Sequence, residues 1–167
     1  MGNGIPLGQP REPKDLYEYN QGLCFDRSRL FEKICKSQGF ETRHIFLLLD
    51  ERNQKSLMAF FRKDSVSTHA VSEVKTQKGW LVICSNYPWL AITNQNSPLS
   101  IKEIVSNNRI GTVPKDVYKT VSPIPMWYDP NTRYIYGLYS RHGRFYATFN
   151  FFPDFNFREL NCNFFII

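Results

Sequence analysis

No apolar run in the sequence is longer than Ile45–Leu49, far too short to cross a bilayer as a helix, so no transmembrane segment is expected. Residues 1–16 lack the apolar stretch of a secretory signal. Read alone, the chain leaves a cytoplasmic protein and a processed exported one both open. The four cysteines, Cys24, Cys35, Cys84 and Cys162, contain no Cys-x-x-Cys pair, so neither a zinc site nor another metal centre is expected. Four in 167 residues are too sparse for a small scaffold held by disulfides. No internal repeat and no low-complexity tract occurs, which excludes solenoid and fibrous architectures. No cofactor-binding motif is present, and no cofactor is expected.

What is there suits one folded domain. Apolar residues make up 42% and aromatics 16%, enough for a hydrophobic core but, at this length, not for two. The 21 Lys and Arg exceed the 15 Asp and Glu, giving a net charge of +6, which attracts anionic partners in general. The basic residues are interleaved with acidic ones (Glu32, Lys33, Lys36; Arg62, Lys63, Asp64), as on an ordinary solvated surface. Gly143-Arg144-Phe145-Tyr146-Ala147-Thr148-Phe149 has the aromatic alternation of an RNA-binding strand without its residue order. Nucleic acid is therefore not an expected partner, and oligomeric state is not legible.

Residues 1–16 carry three prolines and three glycines and read as an arm or linker, with the single domain running from Tyr17 to Ile167. Residues 24–38 read as a helix, with Leu30, Phe31, Ile34 and Cys35 as its apolar stripe and Gly39 as a left-handed stop. Three β-like runs follow, at 42–49, 68–76 and 80–84, the last two joined by Gln77-Lys78-Gly79. Ser100 and Glu103 form a capping-box pattern for a helix over 100–107. Tyr134–Tyr139 and Arg144–Phe151 read as a second hairpin around 140–143. A helix followed by strands gives an α+β order.

The segment Gly22-Leu23-Cys24-Phe25-Asp26 places a thiol in the first turn of the expected helix. Unpaired N–H groups and the helix dipole there favour a thiolate, and the same N–H groups can cradle an oxyanion. A nucleophilic cysteine needs a base, and His69 in Thr68-His69-Ala70-Val71-Ser72-Glu73-Val74 is the best candidate. Cys35 and Cys162 read as structural. The run Tyr139–Arg144 reads as a solvated hairpin tip, and Asn86-Tyr87-Pro88-Trp89 as core closure or a cleft wall. Tyr17, Tyr19, Asn20 and Gln21 are candidates for a side-chain oxyanion donor, and spacing does not choose among them.

The Gly-x-Cys-x-Asp segment before a helix, Gly39-Phe40-Glu41-Thr42-Arg43 after it, and His69-Ala70-x-x-Glu73-Val74 leading to Trp80 together resemble the transglutaminase-like core over residues 17–90. The resemblance implies a papain-like α+β fold, with the nucleophile at the start of a helix packed on a mainly antiparallel sheet. It also implies acyl-transfer chemistry on an amide of a protein or peptide: hydrolysis, deamidation or transamidation. It implies Cys24 as nucleophile, His69 as base, and a third member four residues beyond Trp80. The family usually has aspartate there, and this chain has Cys84. A neutral thiol accepts hydrogen bonds poorly, so either Cys84 serves weakly, Asn86 replaces it, or the site is impaired. A Cys24–Cys84 disulfide is not expected, because an imidazole should lie between the two sulfurs. The expectation is a cysteine hydrolase or acyltransferase weakened at its third position. The alternative is an inactive module of the same fold that binds a protein or peptide.

Overall fold

The computed structural model describes residue 5 and residues 9–49, 68–86, 91–93, 96–109, 132–139 and 154–164. In chain order its elements are α1 (Pro13–Tyr19), α2 (Cys24–Ser37), β1 (Thr42–Leu49), β2 (Thr68–Thr76), β3 (Gly79–Ile83) and α3 (Ile101–Arg109). These are followed by β4 (Thr132–Tyr136), β5 (Leu138–Tyr139), β6 (Asp154–Phe155), the short helix α4 (Phe157–Leu160) and a 3₁₀ turn at Asn161–Asn163. The architecture is α+β. Four strands form an antiparallel sheet in the order β3-β2-β1-β4, and β5 and β6 form a separate two-stranded ladder.

β1 lies inside the sheet and is buried on both faces, which its unbroken apolar run requires. Because side chains alternate, Ile45 and Leu47 join Val71 and Val82 in one core with Ile101, Ile104 and Val105 of α3. Phe46 and Leu48 join Ala70, Ile135 and Leu138 in a second core with Phe25 of α2. The sheet is thus packed by α2 on one face and by α3 on the other.

Local signals explain the ends of both long helices. Gly39 takes φ +83°; its N–H bonds to Lys36 O and that of Phe40 to Cys35 O, each at 3.0 Å, which satisfies carbonyls that α2 would leave open. At the start of α3, Glu103 N–H reaches Ser100 Oγ at 3.2 Å and Ser100 N–H reaches Glu103 Oε2 at 2.7 Å, the reciprocal box expected from sequence.

Three expectations are corrected. Regular structure starts at Pro13 rather than near Tyr17: proline suits a first helical turn, and Asp15 accepts the Glu12 N–H at 2.7 Å. The buried stripe of α2 is not Leu30, Phe31, Ile34 and Cys35; Ile34 is 55% exposed and the other three are half-buried. The inward face holds Phe25, Ser28 and Glu32, because β1 and β2 offer it His44 and Ser72 as polar partners. Ser72 Oγ donates to Glu32 Oε1 at 2.7 Å, and His44 Nδ1 lies 2.7 Å from the same oxygen. Finally, Tyr134–Tyr139 is not one hairpin strand. Gly137, at φ +73°, divides it into β4, paired with β1, and β5, paired with β6. The expected partner run 144–151 lies outside the described residues.

Candidate active site

Cys24 opens α2, and the turn that carries it is tightly built. Asp26 Oδ2 accepts the N–H of Leu23 at 2.9 Å and a hydrogen bond from Arg11 Nη1 at 2.7 Å. Ser85 Oγ donates to the Cys24 carbonyl at 3.4 Å and lies 3.2 Å from Ser28 Oγ. Ser28 Oγ in turn lies 3.2 Å from the Ala70 carbonyl. The start of α2 is therefore tied to the start of β2 and to the chain just past β3.

The backbones of Ala70 and Phe25 lie close enough to the Cys24 thiol to favour its charged form. Cys24 packs with Ala70 on the α2 side of the sheet. His69 precedes Ala70, and strand alternation turns it toward the side of Val71 and Cys84. There its Nε2 lies 3.3 Å from Cys84 Sγ. His69 thus pairs with Cys84, while Cys24 packs against the cluster of the neighbouring Ala70. All four cysteines are free thiols. Asn86 is exposed, and its Oδ1 accepts from Arg27 Nη1 at 3.2 Å.

Electrostatics set the resting state. Burial pushes the Cys24 thiol up; the Ala70 and Phe25 N–H groups oppose this, while negative charge on Cys84 and Asp26 adds to it. Burial pushes the His69 imidazole down to about 4. A thiolate–imidazolium pair needs the opposite order. With the thiol pushed up and the imidazole pushed down to about 4, the proton stays on sulfur in the resting site. At neutral pH the site holds a neutral thiol and a neutral imidazole.

Of the upstream oxyanion candidates, Tyr17 is 86% and Tyr19 46% exposed, and Asn20 ends α1 at φ +49°. Residues 87–89 and 140–144 lie outside the described residues. Among the described residues no three His, Cys, Asp or Glu side chains converge as a metal site, and no helix is long and apolar enough to cross a membrane.

Sequence reasoning missed the ion pair of Arg11 and Asp26, both almost wholly buried. The signal available was an acidic residue in the first turn of a helix, next to a basic residue in a segment read as an arm. It also missed the polar cluster of Glu32, His44, Tyr139 and Glu159, which no local pattern announces.

Residues 6–84 match the model of the transglutaminase-like superfamily. The match begins inside the N-terminal segment and ends on Cys84. No curated protein and no solved structure matches the chain.

Proposed function

We propose that the protein is a cysteine hydrolase or acyltransferase acting on an amide of a protein or peptide, with a papain-like arrangement of nucleophile and base. The observation that carries this reading is the Cys24 sulfur at the start of α2, against the Ala70 N–H, with the His69–Cys84 pair at the same strand end. In the reaction, the Cys24 sulfur attacks the amide carbonyl and a C–S bond forms. His69 takes the thiol proton and delivers it to the leaving nitrogen as the C–N bond breaks. Water or a second amine then attacks the thioester, passing its proton to His69, and Cys24 recovers its own. The backbone N–H groups at the start of α2 stabilise the oxyanion.

The third position makes this slow. For His69 to act as base through Nδ1, its proton must sit on Nε2 and point at Cys84 Sγ, a weak acceptor. The Cys84 thiol can equally donate to Nε2, which leaves the proton on Nδ1 and removes the base. An aspartate there fixes the tautomer and stabilises the imidazolium; its loss from a serine triad costs on the order of 10⁴ in rate. Cys84 serves as a poor third member, while Asn86 is engaged with Arg27.

The test is turnover of a peptide mixture rich in glutamine and asparagine, with mass spectrometry of both products and enzyme. Expected are slow amide turnover by wild type, a thioester adduct on Cys24, and loss of both in Cys24→Ala. Equal turnover in Cys24→Ala would overturn the assignment. Peptide binding with no turnover or adduct in wild type would replace it by the binding-module alternative.

A further inference from the structure

Two consecutive residues of the N-terminal segment, Arg11 and Glu12, hold successive turns of α2. Glu12 pairs with Arg29 at 2.6 Å and also with Lys33, a partly exposed contact. Arg11 is different. It is 4% exposed, its partner Asp26 2%, and their atoms are 2.7 Å apart. Its Nη2 donates to the Ile5 carbonyl, and the guanidinium stands 5.9 Å from the Phe25 ring centre. The Asp26 oxygen bound by Arg11 also accepts the Leu23 N–H, so the pair closes on the peptide that precedes Cys24. The family match starts at residue 6 and so spans this segment.

We infer that Arg11 is a positioning residue for the nucleophile: its guanidinium locks Asp26 onto the first turn of α2 and cancels a carboxylate charge two residues from Cys24. The inference rests on Cys24 as nucleophile, but its test reads the thiol itself and needs no turnover. The charged and titratable groups around Cys24 are Asp26 on its own helix, His69 on β2, Cys84 beyond β3 and Arg11 from the N-terminal segment. His69 is neutral at the pH of the experiment, since its imidazole titrates near 4. The uncompensated charge that a variant can expose is therefore that of Asp26 or Arg11.

The experiment is the pH profile of iodoacetamide labelling at Cys24, located by mass spectrometry, in the full chain. Arg11→Met leaves Asp26 unneutralised and should move the midpoint up by roughly 1 pH unit, a tenfold slower labelling at fixed pH below it. Asp26→Asn keeps an oxygen for the Leu23 N–H and leaves the Arg11 charge, and should move the midpoint down. The double variant should return close to wild type. Opposite shifts that cancel report charge, which a merely structural strut would not produce. Should Arg11→Met not fold, the downward shift in Asp26→Asn alone carries the proposal. Unchanged profiles, or shifts of one sign in all variants, would overturn it. Turnover unaffected by Cys24→Ala would instead sink the nucleophile reading and leave these shifts intact.

Discussion

Glu32 on α2 and Glu159 on α4, far apart in sequence, share the phenol of Tyr139. Tyr139 Oη lies 3.2 Å from Glu32 Oε2 and 3.0 Å from both Glu159 oxygens. One hydroxyl proton cannot serve two carboxylates, and the ring stacks on His44 with centroids 4.3 Å apart. Burial first, and the charge of Glu32 next, push the Glu159 carboxyl up, although the His44 N–H hydrogen bond opposes them. Its folded pKa is raised, so its contribution to stability is complete below the unfolded value and is lost as pH rises through the folded one. Glu159→Gln should therefore lose stability against wild type least at alkaline pH and most near pH 4. Urea unfolding of both proteins across that range checks this; a constant difference would refute it.

His69 gives the opposite slope. Its imidazole falls from 6.5 unfolded to about 4 folded, so the unfolded chain binds the extra proton between those values. Stability contributed by keeping it neutral is present above 6.5 and is lost as pH falls toward 4, by up to about 3 kcal/mol. Wild type should weaken relative to His69→Gln across this window and not above it. Comparing denaturation midpoints at pH 4.5 and 7.5 reads the difference directly.

Cys84→Asp should repair the base. A carboxylate beside Nε2 raises the imidazole by about 1 to 3 units and favours the charged pair with Cys24. Labelling of Cys24 at pH 6 should rise at least about tenfold and acquire a plateau below neutral pH, where wild type has none. A profile identical to wild type would mean that desolvation, and not the missing acid, holds the site neutral.

Two glycines with the same sign of φ should respond differently. Gly39→Ala meets no atom within 4 Å and pays only the left-handed backbone cost, about 1 to 2 kcal/mol. At Gly137 an added Cβ would stand 2.7 Å from Asn156 O and 2.8 Å from Leu160 N, so Gly137→Ala should cost roughly 3 to 5 kcal/mol. Thermal melts of the two variants should separate clearly; similar losses would mean that the contact between β5 and α4 yields easily.

Much of this was legible because the signals are local. The limits of α2, the Gly39 stop, the Ser100–Glu103 box and the runs that became β1, β2 and β3 each depend on a few neighbouring side chains. The family resemblance was legible in the words around Cys24, His69 and Cys84. The α2 stripe was misread because apolar periodicity says which residues prefer burial, not which face the sheet will satisfy. With Ser72 and His44 opposite, the polar Ser28 and Glu32 go inward and Ile34 goes out.

By itself, then, the sequence determined the α+β order, the helix ends, and a thiol at a helix start with a histidine on a strand, since capping, alternation and turn chemistry act over a few residues. Only the tertiary structure decided that His69 is buried enough to stay neutral, that Cys84 rather than Asn86 meets its ring, and that Arg11 reaches Asp26. Desolvation and buried charge pairing depend on what distant segments bring together, and no local pattern contains them.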